Sequence, residues 1–271
     1  MSIGEEKHVQ QADLNRRYRK HMLSELRFAV ARDGLDRGEV HGEAEVTRYM
    51  HVPGTSHLRT SILAVWADML SGILTLTAVQ PRVSVTQELD VHLYQPAPSS
   101  GIVRAEGRVV KAGRSVIVSH VDFTDSQGEP FGFSTSSFMA SPDASFTLPS
   151  LKASMRFIND APRLAVPFAD RAGLIRHAVP GVAELAVSDD GRNSTNSMHG
   201  GLVALAAEES VLSLADDPSA TVCSLQVRYL SAIRVGPAVA TASGHRGLFR
   251  CEVRDRGKQD RLAALATVRT F

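Results

Sequence analysis

A repeat runs from GEAEVTRYMHVPGTSHLRTSILAVWAD, residues 42–68, to VAELAVSDDGRNSTNSMHGGLVALAAE, residues 182–208, at a constant offset of 140. In each copy a strand-like alternation gives way to polar turn residues, and an apolar segment of helical length follows. A repeat of this length is a whole domain rather than a solenoid unit. We therefore predict a duplicated domain.

Each helix-length segment is followed by further strand-like runs that turn residues separate. After the first come VSVTQELDVHLYQ, IVRAEGRVVKAG, SVIVSHVDFTD and PFGFSTSSFMA; after the second come ATVCSLQVRYLSAI, AVATASGHRG, LFRCEVRD and RLAALATVRTF. Such runs predict an antiparallel meander. We expect an α+β fold of two tandem domains, each with a long central helix. Two copies in one chain favour an intrachain pseudo-dimer.

The periodicity of the chain also predicts its domain boundaries. An apolar stripe over residues 10–32 predicts a helix, so residues 1–37 are expected to form a helical N-terminal extension. The first domain is predicted at 38–145 and the second at 165–271. Residues 146–164 lose all periodicity and are expected to form a linker.

The composition describes a globular protein without a strong electrostatic bias. Of 271 residues, 43% are hydrophobic, and 30 Lys and Arg balance 29 Asp and Glu. This balance gives no bulk attraction to nucleic acid or to an anionic membrane. Cys223 and Cys251 match no metal-binding spacing. No apolar run approaches bilayer-spanning length and the start of the chain lacks a signal segment, so we expect a cytoplasmic protein with no metal and no membrane partner.

The second copy carries a polar cluster where its helix begins. Asn193 precedes His199-Gly200-Gly201, and Glu208 lies nine residues beyond the histidine. Backbone N–H groups at a helix start can receive the negative charge of an attacked carbonyl, and glycines leave room for its approach. A nearby carboxylate can act as a general base or a nucleophile. The structural alternatives are that Asn193 caps a turn, that His199 orients the loop and that the glycines serve packing.

A strand, one long helix and a meander that wraps it resemble the hotdog fold. The pattern Asn-x5-HGG-x6-Glu resembles the signature of acyl-CoA thioesterases related to phenylacetyl-CoA thioesterase. The resemblance covers the chain from about residue 38 onward, once per half. It implies hydrolysis of an acyl-CoA to a free acid and CoA, with no cofactor besides the CoA of the substrate. It also implies a composite site, to which one hotdog gives the Asn and HGG and the other gives the acid and often a Ser or Thr.

The two copies are unequal, so the resemblance implies one complete site. Pro53 and Arg59 stand where the second copy has Asn193 and His199, but Asp68 stands where it has Glu208. Thr86 follows Asp68 at the position where relatives place a supporting Ser or Thr. We expect one working and one degenerate site, with Glu208 a weaker candidate on the degenerate side. The expected catalytic residues are Asp68, Thr86, Asn193, His199, Gly200 and Glu208.

The expected substrate-binding residues are less specific. Gly201 and Trp66 lie close in sequence to the expected site, and the phosphates of CoA require cations. The turn KAGRS provides Lys111 and Arg114. As in other hotdog pairs, the fused pair is expected to associate further into a homo-oligomer.

Two other functions remain open from the sequence. The segment MHVPGTSH, with His51 ahead of Asp68, resembles the dehydratase branch of the hotdog fold, so an enoyl-thioester hydratase or dehydratase is one alternative. The other is a non-catalytic acyl-CoA-binding protein. A hydratase would change the absorbance of an enoyl thioester without releasing thiol.

Overall fold

A computed structural model of the chain describes residues 21–147, 162–215 and 217–271. Within these residues, twelve strands form one antiparallel sheet that packs against two long helices. The first half contains β1 Ala29–Ala31, β2 Glu39–Val46, α1 Thr60–Val79, β3 Ser84–Leu93, β4 Gly101–Ala112, β5 Ile117–Thr124 and β6 Pro130–Ala140. The second half contains α2 Phe168–Ala172, β7 Leu174–Arg176, β8 Val182–Leu185, α3 Gly200–Leu214, β9 Val222–Tyr229, β10 Ala238–His245, β11 Leu248–Asp255 and β12 Arg261–Thr270.

The two halves have the same topology. The sheet order is β1-β2-β4-β5-β6-β3-β9-β12-β11-β10-β8-β7, so each half repeats the other outward from a central junction. At that junction β3 pairs antiparallel with β9, from Glu88 opposite Arg228 to His92 opposite Ser224. The predicted α+β fold with two tandem hotdogs is confirmed, and β2–β6 and β7–β12 fall within the two predicted domains.

Helix α1 is buried on nearly all sides because the sheet wraps it. Its residues are apolar around most of the circumference, which is typical of a core helix. It ends at Gln80, where the following Pro81 disfavours further helix. By length and composition alone α1 could span a membrane, which the sequence analysis did not expect, but 72% of its most apolar window is buried inside the protein. We read α1 as a core helix; the cytoplasmic location and the homo-oligomer stay predictions.

The strands bury alternate residues against the helices. In β5, residues Ile117, Ser119, Val121 and Phe123 are buried and their neighbours are partly exposed. This period of two is the one that the sequence showed, and it places one sheet face on α1.

The predicted N-terminal helix is wrong over the described residues. Met22–Leu26 form a 3-10 turn, which ends at Arg27 with φ 54°, and β1 then pairs with β2. Tertiary packing overrides the helical stripe, because Phe28 stacks on Trp66 with ring centroids 5.1 Å apart. Gly42 on β2 makes room for that ring, since a Cβ there would lie 2.2 Å from Cζ of Phe28. Residues 10–20 and most of the predicted linker lie outside the described residues.

Candidate functional site

Asp68 lies in the middle of α1, where it faces β3. It is 9% exposed, and Thr86 Oγ1 donates a hydrogen bond of 2.7 Å to its Oδ1. Burial raises the pKa of Asp68 to about 6, and the Thr86 hydrogen bond offsets only part of that rise. The carboxyl group is therefore largely ionised at neutral pH and is basic enough to accept a proton.

His199 is the N-cap residue of α3 and approaches Asp68 from the other half of the chain. Its Nδ1 accepts the Gly201 N–H at 3.0 Å, which assigns the proton of the neutral ring to Nε2. Nε2 lies 3.6 Å from Asp68 Oδ2. Burial lowers the pKa of His199 to about 4, so at neutral pH a neutral imidazole faces a carboxylate. The Nε2–H of His199 therefore faces the carboxylate as a donor, and neither ring nitrogen has a free lone pair with which to act as a base.

The two glycines at the start of α3 are explained by packing. A Cβ on Gly201 would lie 2.3 Å from Cγ2 of Val65, so glycine lets α3 cross close to α1. A Cβ on Gly200 would lie 3.2 Å from Cζ of Tyr229. Protein atoms therefore occupy both spaces, which corrects the expectation that they are left for substrate. The Gly200 N–H has no hydrogen-bond partner within the described part of the chain, and it points from a helix N-terminus, where negative charge is favoured.

Tyr229, at the end of β9, is a site residue that the sequence analysis did not identify. Its hydroxyl donates a hydrogen bond of 3.0 Å to Gly200 O. Burial raises its pKa well above the ordinary value, and the nearby carboxylates of Asp68 and Asp90 add to the rise. The available signal was its recurrence in the aligned strands VTQELDVHLYQPA and ATVCSLQVRYLSA, where Tyr94 holds the equivalent place. Tyr229 therefore fixes the first turn of α3 as a neutral donor.

Asn193 shapes the loop that carries His199. Its Oδ1 accepts hydrogen bonds from the backbone N–H and hydroxyl of both Thr195 and Ser197, at 2.9–3.2 Å. The loop is closed on either side by backbone bonds from Met198 to Ile233 and from His199 to Gly191. The oxygen of Asn193 is thus engaged within the loop, which matches the structural alternative of a turn cap.

Glu208 lies in the equivalent position of the other half and belongs to a buried ion-pair cluster. It is 0% exposed and accepts from Arg59 Nη1 at 3.1 Å, from Ser61 N at 3.1 Å and from Ser61 Oγ at 2.5 Å. Arg59 Nη2 also forms an ion pair with Glu209, without the geometry of a hydrogen bond, and Arg176 reaches Glu209 from the surface. The structure does not bring Glu208 to Asp68; its carboxylate covers the start of α1 instead.

The fold and the pairing of the two halves can be compared with known proteins. Residues 57–131 match the family model of the thioesterase superfamily. The match covers β3 to β5 and all of α1, including Asp68 and Thr86. No curated protein sequence matches the chain.

Solved structures similar to this chain show the same fold over most of its length. An acyl-ACP thioesterase from Bacteroides thetaiotaomicron is 12% identical, with a TM-score of 0.60, over 88% of this chain and 99% of that one. A putative thioesterase II from Thermobifida fusca is 18% identical, with a TM-score of 0.57, over 92% and 97%. The 12:0-ACP thioesterase from Umbellularia californica is 11% identical, with a TM-score of 0.61, over 86% and 97%. At these identities the likeness concerns the fold.

The expected substrate-binding residues lie in different places. Trp66 is fully buried against Phe28 and, two residues from Asp68, points about 200° away from it around the helix. Lys111 and Arg114 are exposed at the β4–β5 turn. The sheet register places that turn in line with the site. On the adjacent strands β4, β5, β6 and β3, the residues that lie opposite one another are Ala112, Ile117, Phe138 and Thr86.

The remaining candidates lie away from Asp68. His51, which the dehydratase alternative requires, lies in the turn before α1 and its Nε2 contacts Ser99 O at 2.8 Å. A surface cavity of about 240 Å³ beside β2 includes Glu43 and Thr47 in its lining but neither Asp68 nor His199. Among the described residues, no group of three or more His, Cys, Asp or Glu side chains could hold a metal ion.

Proposed function

We propose that the protein hydrolyses an acyl thioester, with acyl-CoA as its substrate class, at one composite site per chain. The observation that carries this proposal is the Asp68 carboxylate, buried opposite the start of α3 and 3.6 Å from His199. Its raised pKa of about 6 suits a general base at neutral pH. The match of residues 57–131 to the family model of the thioesterase superfamily supports the reaction class.

In the proposed reaction, Asp68 removes a proton from water as the water oxygen attacks the thioester carbonyl carbon. The negative charge that develops on the carbonyl oxygen is received by the Gly200 N–H at the α3 N-terminus. The tetrahedral intermediate then collapses, the carbon–sulfur bond breaks, and the thiolate leaves with the proton from Asp68. Thr86 and His199 hold the carboxylate between them, and Tyr229 fixes the turn that presents the N–H.

A direct attack by Asp68 on the carbonyl carbon is the other route, through an anhydride that water then opens. A single turnover in H₂¹⁸O reveals the anhydride route when the label appears in Asp68. General-base catalysis puts the label in the acid product only. Nucleophilic attack puts it in Asp68 when water opens the anhydride at the aspartyl carbon.

The proposal of one site per chain rests on the contrast between the two helix starts. At α3 the Gly200 N–H is available and the neutral ring of His199 accepts the Gly201 N–H, whereas at α1 the Glu208 carboxylate accepts from Ser61 N and Oγ, at the position of Gly201, and pairs with Arg59. A thioester carbonyl would have to displace a buried, hydrogen-bonded charge there, which is costly. We therefore expect one molecule of a non-hydrolysable acyl-CoA thioether to bind per chain in equilibrium dialysis.

Acyl-CoA as the substrate class is supported by the basic turn of Lys111 and Arg114 at the Thr86 end of the sheet. Replacing both by serine is expected to raise KM for acyl-CoA and to leave kcat nearly unchanged. The same variant assayed with a short thioester that lacks the nucleotide serves as the control. An unchanged KM for acyl-CoA would remove these residues from the proposal.

The test of the reaction is free-thiol release from a panel of acyl-CoA and acyl-ACP thioesters. Asp68→Asn is expected to lower kcat/KM at least about 100-fold, the usual contribution of a general base. Asp36→Asn, whose side chain is 79% exposed, is the matched control. Saturable binding without thiol release would favour a binding protein, and loss of enoyl absorbance without thiol release would favour a hydratase.

A further inference from the structure

His21 lies beside the His199 ring of the proposed site. Its ring meets the His199 ring edge to face, with centroids 5.8 Å apart and an interplanar angle of 71°. The ring is held at both nitrogens, because Nδ1 accepts the Leu23 N–H at 3.2 Å and Nε2 donates to Arg192 O at 3.1 Å. The two bonds assign one tautomer and one orientation to His21.

The segment that carries His21 is itself firmly docked. Met22, Leu23 and Leu26 are at most 3% exposed. Glu25 forms a bidentate ion pair with Arg171, at 2.6–2.9 Å.

The same ion pair ties this segment to the backbone that positions His199. Arg171 also donates to Asp190 at 2.8 Å, in the turn that precedes the Asn193 loop. The next residue of that turn, Gly191, accepts the His199 N–H at 3.0 Å. The N-terminal segment therefore contacts both the ring and the backbone neighbours of His199.

We propose that His21 is a positioning residue for the thioesterase site, because its ring keeps His199 in the rotamer that directs Nε2 at Asp68. The Nδ1 bond to Gly201 tethers only one atom of the His199 ring, so the tilt of the ring needs a further restraint. The His21 ring supplies that restraint and excludes water from the imidazole. Its effect on turnover rests on the proposed function, but its effect on the His199 ring does not.

The groups around His21 agree with a packing role. Burial, together with the neighbouring His199, lowers the pKa of His21 to about 4, and the charges that face it, Asp190 and Arg171, belong to the ion pair described above. His21 is thus neutral at neutral pH and acts through the packing of its ring against His199. Loss of the ring would hydrate His199 and favour its protonated form.

The experiment compares His21→Ala with His21→Phe, which keeps an aromatic edge but loses both nitrogens. Nitrogen NMR of the imidazoles reports the tautomer and titration of His199 directly, and thiol release reports turnover. In His21→Ala we expect the His199 titration midpoint to rise from about 4 and kcat to fall about tenfold at an unchanged KM. In His21→Phe we expect kcat to lie within about twofold of the wild type and the His199 titration midpoint to stay at its wild-type position.

Val253→Ala, at a fully buried position in β11, controls for general loss of stability and is expected to leave the His199 titration unchanged. An unchanged His199 titration in folded His21→Ala would overturn the proposal. A perturbed tautomer in a protein that releases no thiol would support the positioning of His199 and refute the thioesterase. If His21→Ala does not fold, a His21→Phe variant with a mobile, mixed-tautomer His199 would also overturn it.

Discussion

Replacement of Arg59 by methionine tests the reading of the second site as a buried ion-pair cluster. Methionine keeps much of the aliphatic volume but removes the cation between Glu208 and Glu209, which are 0% and 1% exposed. Removing one partner of a buried ion pair costs about 3–5 kcal/mol, because the remaining charge stays buried. A chain of this size loses roughly 2–4 °C per kcal/mol, so about 4 kcal/mol corresponds to a fall in Tm of roughly 8–16 °C.

Urea unfolding followed by the fluorescence of Trp66, the single tryptophan, measures this loss. The control is Arg163→Met, which breaks an exposed pair with Glu45 and is expected to cost under about 1 kcal/mol. Adding Glu208→Gln and Glu209→Gln to Arg59→Met should restore much of the stability, since no unpaired charge then remains. If Arg59→Met costs no more than Arg163→Met, the cluster is not the buried, mutually dependent unit inferred here.

The remaining predictions concern Asp68 and its partner Thr86. Because the pKa of Asp68 in the folded protein, about 6, lies above its unfolded value of 3.8, the stabilisation from protonation is complete below pH 3.8 and is lost as pH rises through 6. At 1.36 kcal/mol per pKa unit, the free energy of unfolding of Asp68→Asn should therefore exceed that of the wild type by up to about 3 kcal/mol at pH 7 and by less near pH 4. A difference that does not shrink toward pH 4 would contradict the raised pKa. The pH profile of kcat/KM should fall about tenfold per unit below pH 6, and a flat profile from pH 5 to 8 would exclude Asp68 as the base. Thr86→Val removes a hydrogen bond that favours the carboxylate, so the acidic limb of the pH profile should move to higher pH. Thr77→Val removes a hydrogen bond remote from Asp68 and should leave that limb in place.

The sequence predicted the fold well because the fold depends on local patterns. Helices α1 and α3 are long apolar segments that follow turn residues, and the strands alternate with a period of two. The repeat then supplied the pairing of the halves. This was sufficient to bring Asp68 and Thr86 of one copy to His199 of the other, because the offset of 140 maps one helix start onto the other.

The parts that the sequence did not reveal depend on contacts between distant segments. The N-terminal segment does carry apolar residues at helical spacing. Because Phe28 stacks on Trp66, however, the segment forms a turn and an edge strand instead of a helix. His21 contacts a residue far along the chain, and no local pattern encodes that contact. Tyr229 repeats Tyr94 in sequence, yet Tyr94 is 64% exposed, so the repeat gave no sign that one copy serves the site.

The two halves differ in the residue that faces the acid on the opposite helix. Asp68 and Glu208 occupy equivalent places, each facing the start of the opposite helix. Opposite Asp68 stands His199, whose pKa of about 4 leaves it neutral, so burial is uncompensated and the carboxyl group stays basic. Opposite Glu208 stands Arg59, whose guanidinium forms a buried ion pair with that acid. Under the proposed function, the first arrangement keeps a basic carboxylate at a cost in stability, whereas the second reinforces the contact between the two halves with an ion pair.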